Sequence, residues 1–279
     1  MPSLLAADAA IVGADGVRLD FTRATDPGAC LNLSGTGQRV IGLELRGCAT
    51  GHVISFKAAR TQLADSRIEG LGTSLKIDGA EVRIGPRNLF TGFEREVVQV
   101  KGLGSLISNN LFVANGDPVV LYANASGGDQ ALIQNVFRDN AGDAVLIPSG
   151  NAGARIWFNT FHRNARNGIS ARLVATPVDL RNNVFSLNGQ FGVYAGAADL
   201  SFSAPNAAYG NRSGAMWGGS PGGWVSEPPS FLAPSDGDLR PASASPLRDA
   251  GRDLGIDLNG SQPGRFFGAA PELGAFEVW

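Results

Sequence analysis

No stretch of the chain stays apolar for the length of a membrane span, so the sequence offers no membrane partner. Met1–Ala10 lacks the charged and long apolar regions of a secretory signal, which leaves export open. Lysine is scarce: Lys57, Lys76 and Lys101 are all there are, and the rest of the basic side is arginine. Net charge is −2 with a pI near 5.7, which argues against nucleic acid, because that partner needs a concentrated basic surface. A polyanionic ligand fits only if the positive residues gather locally. Cysteine is limited to Cys30 and Cys48, 18 residues apart, and the pair reads either as two buried thiols or as one disulfide. Paired His/Cys metal spacing, a phosphate-cradling Gly loop and a nucleophile elbow are all missing. Helical periodicity is missing as well.

What is present is a repeat. Asn183-Val184-Phe185 leads to Asn188 and then Val193. The same run recurs at Asn159-Thr160-Phe161, Asn135-Val136-Phe137, Asn110-Leu111-Phe112 and Asn88-Leu89-Phe90, with a worn copy at Ser66-Arg67-Ile68. Phenylalanines 90, 112, 137, 161 and 185 are 22, 25, 24 and 24 residues apart. A period in this range means stacked supersecondary units. Short runs of Val, Ile, Leu and Phe separated by Gly, Asn and Asp are strand-and-turn sequence. One period holds three short strands and three turns, and stacking the coils puts equivalent strands about 4.8 Å apart. The expected fold is all-β, a parallel β-helix of about eight coils.

Val98, Val120, Val145, Ile169 and Val193 then form one internal column and the phenylalanines another. Asn110, Asn135, Asn159 and Asn183 form a ladder of stacked amides, and Asn115, Asn140, Asn164 and Asn188 a second. The Asn-x-Phe runs are read as turns, and Val40–Leu45 and Leu63–Ile68 as single strands. Ser3–Ala10 is read as a short capping helix. Two outward rows follow from strand parity: Gln99, Leu121, Leu146, Ser170, Tyr194, and beside it Lys101, Ala123, Pro148, Arg172, Gly196. From Pro205 the repeat fades. Residues 1–205 are therefore assigned to the β-helix. Residues 206–279 are assigned to a loop-rich tail that caps the open end of the array.

The repeat resembles the pectate-lyase-like superfamily of right-handed parallel β-helices over about residues 12–205. Handedness is what the resemblance implies. The tail, with Ser245-Pro246-Leu247-Arg248-Asp249-Ala250-Gly251 and Glu272-Leu273-Gly274-Ala275-Phe276-Glu277, resembles the ending of many exported bacterial β-helix proteins, some carbohydrate-active. That implies an extracellular or periplasmic protein.

Glu94-Arg95-Glu96-Val97-Val98-Gln99-Val100-Lys101 is the densest chemical candidate. Two carboxylates one residue apart share a side of a strand, and hard Ca²⁺ takes such oxygens. A nearby cation would favour neutral Lys101 as a base. With the flanking Asn88-Leu89-Phe90 and Asn110-Leu111-Phe112, this stretch resembles the alginate-lyase and chondroitinase-B family of polysaccharide lyases. The resemblance implies calcium on Glu94 and Glu96, neutralising a uronate, with Lys101 taking the C5 proton. Where that family carries an arginine one coil later, this chain has Tyr122, and Gly102 stands where a serine is usual. Family spacing puts Tyr122 beside Lys101 as a proton donor, whereas the internal repeat points it inward with Val100. Arg172 shares the outward row of Lys101, three coils away, or about 14 Å. His162, in a turn with Arg163 and Arg166, is a further acid/base candidate, and His52 reads as structural.

Two functions are carried forward. One is a monomeric lyase acting on an acidic polysaccharide by β-elimination. The other is a non-catalytic polysaccharide-binding β-helix. A third, unrelated small-molecule chemistry, stays open because fold does not fix function.

Overall fold

The structure is a computed structural model. It describes every residue except 1, 2, 5, 15, 24–27, 49, 50, 71–73, 123–128, 152, 173, 175, 176, 198, 199, 261 and 279. Three parallel sheets run the length of the array, of ten, nine and nine strands. Each coil visits sheet A, then B, then C, as in Val98–Val100, Leu106–Ser108 and Leu111–Val113. Most strands are three residues long, so the middle or flanking apolar side chains turn inward and little else can. No α-helix occurs among the described residues.

The expected columns stand. Val98, Val120, Val145, Ile169 and Val193 pair in register and are fully buried. Phe90, Phe112, Phe137, Phe161 and Phe185 stack with centroids 4.7–5.1 Å apart and planes within 9°. Face-to-face stacking is not what aromatic pairs choose alone; the strand spacing of about 4.8 Å imposes it.

Both asparagine ladders form and run further than expected. Each amide donates to the Oδ1 of the asparagine one coil on, as Asn110 does to Asn135 at 2.9 Å, and to a carbonyl one coil back, as to Ile84 at 2.9 Å. The first ladder runs from Asn88 to Asn206 and the second from Asn115 to Asn211. Every corner amide in these ladders thus finds a buried partner, which buried polar groups require.

Several local expectations fail. The Asn-x-Phe runs are not turns: the asparagine makes the corner, and the phenylalanine is mid-strand in sheet C, as in Leu89–Thr91 and Val136–Arg138. The expected single strand Val40–Leu45 is two, Arg39–Ile41 and Glu44–Arg46, because a coil turns at Gly42, φ 71°. The same break splits 63–68 at Asp65, φ 52°. Ser3–Leu4 and Ala10–Val12 are strands, where a capping helix was expected. Cys30 and Cys48 form a disulfide, Cα–Cα 6.2 Å, which decides between the two readings.

Stacking continues past residue 205, through Ala207–Tyr209 and Gly214–Trp217. The tail closes the end of the array through Trp224 and then turns aside. Small Ala208 succeeds Phe185 in the phenylalanine column, and the Trp224 indole settles over Phe185 at 5.7 Å and 12°, ending the stack. Residues beyond it pack sideways on the outer face of sheet C. Leu247 and Leu273 cover Val184 and Ala207, while Leu239 and Ala275 cover Val136. Asn182 exchanges two bonds with the Arg252 backbone, at 2.8 and 3.0 Å. With sheet C roofed by the tail, sheets A and B keep open outer faces, each with a cavity.

Candidate functional site

Sheet A presents one continuous outward row: Ser55, Lys76, Gln99, Leu121, Leu146, Ser170, Tyr194 and Trp217, each in register with the next. Lys57, Asp78, Lys101, Pro148, Arg172 and Gly196 follow the same strands one residue beyond their ends. All three lysines of the chain therefore lie on this face, together with Arg172. The scarce lysines thus follow the strands of a single sheet, while exposed Arg39, Arg83 and Arg155 stand on sheet B. Lys76 is held by Asp78 at 3.0 Å, so the lysine end is partly neutralised.

Near the other end a groove of about 560 Å³ opens, walled by Asp143, Arg166, Asn167, Arg172, Gln190 and Tyr194 and floored by Ser170. Its far wall is a third ladder. The Asp117 Oδ1 accepts the Asp143 N–H at 2.9 Å, and the Asp143 Oδ1 accepts from the Asn167 N–H at 3.0 Å and its amide at 2.8 Å. The Asn167 Oδ1 accepts the Phe191 N–H at 3.0 Å. Residue 142 must be glycine for this, because a Cβ there would stand 2.0 Å from the Asp117 Cγ. The other oxygen of Asp117 binds the Arg166 guanidinium at 2.6 Å.

Asp143 is the chemically unusual member. Burial holds its carboxyl above the usual carboxylate range, and the Asp117 charge adds to this, against the Asn167 hydrogen bonds and Arg166. One oxygen is clamped by Asn167, and the other has no hydrogen-bond partner among the described residues. Asp143 thus presents a largely buried carboxyl with a raised pKa, lining an open groove. Arg172 is exposed in the same groove, and none of the ion pairs among the described residues uses it.

The residues singled out from sequence are not brought together. Lys101 and Arg172 share a face but are separated by two intervening strands of sheet A. Tyr122 pairs with Val100 and is 1% exposed, with its hydroxyl sealed and unpartnered and its ionisation pushed up by burial. The internal repeat was therefore the right guide to its direction, and no surface polymer reaches it. His162 lies on sheet C beneath the tail. Its Nδ1 meets the Ser186 hydroxyl at 2.8 Å, and Phe231 covers it edge-on at 5.6 Å. Burial lowers its pKa to about 4. His52 is half-buried against the Ser74 hydroxyl at 3.0 Å, a structural contact.

Glu94 and Glu96 fall in a bend between Leu89–Thr91 and Val98–Val100, so strand parity does not set their directions. Calcium takes roughly six to eight oxygens. Glu94 is exposed, Glu96 half-buried, and no group of three His, Cys, Asp or Glu side chains among the described residues is placed to hold a metal ion. By themselves two carboxylates supply at most about four of those oxygens.

Asp117, Asp143, Asn167 and Arg166 escaped the sequence reading. The signal was there: Asp143 and Asn167 hold the same place two residues before the valine column, one coil apart. Their chemistry was hidden because the asparagine ladders made every polar repeat position look structural.

No protein-family profile matches the chain. No curated protein matches it. Among solved structures it is similar to a crystal structure of pectate lyase Pel9A, at 14% identity and a TM-score of 0.52, over 93% of this chain and 76% of that one. The chain has a pectate-lyase-like β-helix fold. At this identity the likeness is one of fold. The groove on sheet A of this pectate-lyase-like helix is described by this chain's own residues.

Proposed function

We propose that the protein binds a uronate-containing polysaccharide along the outer face of sheet A and cleaves it there by β-elimination. The observation that carries this is the gathering of Lys57, Lys76, Lys101 and Arg172 on one open sheet of an otherwise acidic protein, with the groove at its arginine end. An extended polymer suits a flat row repeated at each coil. In the groove, the Arg172 guanidinium pairs with the sugar carboxylate and makes the neighbouring C5 proton more acidic. A base takes that proton, the C5–H bond pair becomes the C4–C5 double bond, the C4–O bond to the next sugar breaks, and the departing oxygen takes a proton from water in the open groove. Asp143 is the group in the groove able to exchange a proton with the polymer, and its carboxylate form is the base. Lys101, three coils away, holds a more distant part of the chain. No step runs through calcium.

The elimination product absorbs in the ultraviolet. Incubation with polygalacturonate, alginate or a glycosaminoglycan is expected to raise that absorbance, and Asp143→Asn to abolish the rise while binding persists. Binding by the unmodified protein without any absorbance would favour the non-catalytic reading, which the separation of Lys101 from Arg172 supports. No binding to any of these polymers would overturn the proposal. The Cys30–Cys48 disulfide fits an oxidising, extracytoplasmic compartment.

A further inference from the structure

The outward row of sheet A does not stop at the groove. Its last members, Tyr194 and Trp217, pair in register, and Phe191 stands beside both. The Phe191 ring centroid lies 6.3 Å from that of Tyr194 and 6.0 Å from that of Trp217, with planes tilted by 45° and 49°. Trp217 is 55% exposed and the other two are partly exposed. Gly214 is the partner of Phe191 on the last strand, so the in-register partner brings no side chain to that ring. Three aromatic side chains left open together on a sheet end are a binding feature far more often than an accident. Because the rings are tilted, their electron-rich faces are not spent on one another and stay available to C–H groups of a ligand. The cluster continues the groove: Tyr194 lines both, and the Phe191 N–H is bonded to Asn167.

We infer that Phe191, Tyr194 and Trp217 form a sugar-stacking subsite. It takes the apolar C–H face of a pyranose ring further along the polymer whose uronate sits at Arg172. The inference rests on the function proposed above, and it adds a direction. The polymer runs along the helix axis across successive strands, over Ser170, Tyr194 and Trp217, at one coil per step of about 4.8 Å. Stacking supplies affinity that salt does not screen, whereas the Arg172 contact is screened.

The test is calorimetric titration of the full chain with short and long uronate oligosaccharides, at low and high salt. Trp217→Ala is expected to weaken binding of long oligosaccharides about ten-fold. Short ones, which fill the groove alone, should be unaffected, and the salt dependence should not change. Trp217→Phe should restore most of the loss. Arg172→Ala should weaken all lengths and flatten the salt dependence. Unchanged binding of every length by Trp217→Ala, with Arg172→Ala impaired, overturns the subsite and leaves the function standing. If the protein binds neutral xylan or cellulose oligosaccharides instead and Trp217→Ala loses them, the subsite stands and the uronate reading falls. No binding of either kind overturns both. Light scattering in which Trp217→Ala dissolves a dimer, with glycan binding intact, assigns the patch to a second copy and also overturns the subsite.

Discussion

Asn135 shows what a single residue carries in this fold. It accepts from the Asn110 N–H and amide, and donates to Asn159 and to the Ile107 carbonyl, all within 2.8–3.1 Å. Asn135→Ala strands several buried polar groups at once, each worth about 1–3 kcal/mol. Urea unfolding is expected to show a loss of about 3 kcal/mol or more, with no rescue by Asp, whose charge would be buried. Tyr122 predicts the opposite sign. Its sealed hydroxyl has no partner, so Tyr122→Phe should keep activity and hold or raise stability by about 1 kcal/mol. Loss of turnover in that variant would restore it as a proton donor. At this scale the sequence was most informative where five copies agreed: column membership and inward direction followed from spacing alone. It was least informative at Asp143, whose character comes from its burial between Asp117 one coil back and Asn167 one coil on, surroundings that no single stretch contains.

The tail is the element whose chemistry was least legible. Its composition announced a cap, but not which surface it covers, because the matching apolar residues on sheet C, Val136, Val184 and Ala207, look like ordinary strand positions. Two titrating groups sit along its seam. His162, under Phe231, is lowered from 6.5 to about 4 by burial, so the folded form disfavours its proton. Its contribution is complete above about pH 6.5 and is lost as pH falls toward 4. Glu272 is raised from 4.5 to about 9 by burial and by the Glu277 carboxyl beside it, so the folded form favours its proton. Its contribution is complete below about pH 4.5 and is lost as pH rises toward 9. The two slopes oppose each other between about pH 4.5 and 6.5 and should nearly cancel. Resistance of residues 226–278 to limited proteolysis is thus expected to be flat in that window, falling on either side. Glu272→Gln should remove the alkaline limb and leave the acid one. Loss of both limbs in that variant would contradict the assignment.

Across the whole molecule, one observation ties fold to function: sheet C is roofed, sheets A and B are open, and of these sheet A holds the lysines and the groove with Arg172. The fold was legible because a stacked array repeats its core instruction five times. The site was not, because it lies where one coil differs from the next. Reduction of the Cys30–Cys48 bridge, which closes an 18-residue separation, should cost about 3 kcal/mol and lower thermal stability without abolishing binding. A chelator should leave polysaccharide binding unchanged, because the proposed contacts run through Arg172 and the lysines. The most direct measurement is calorimetric titration of polyuronate into the unmodified protein and into Arg172→Glu. The account predicts salt-sensitive binding that the charge reversal weakens by at least about ten-fold. Equal affinity in the two proteins, or affinity indifferent to salt, would contradict it.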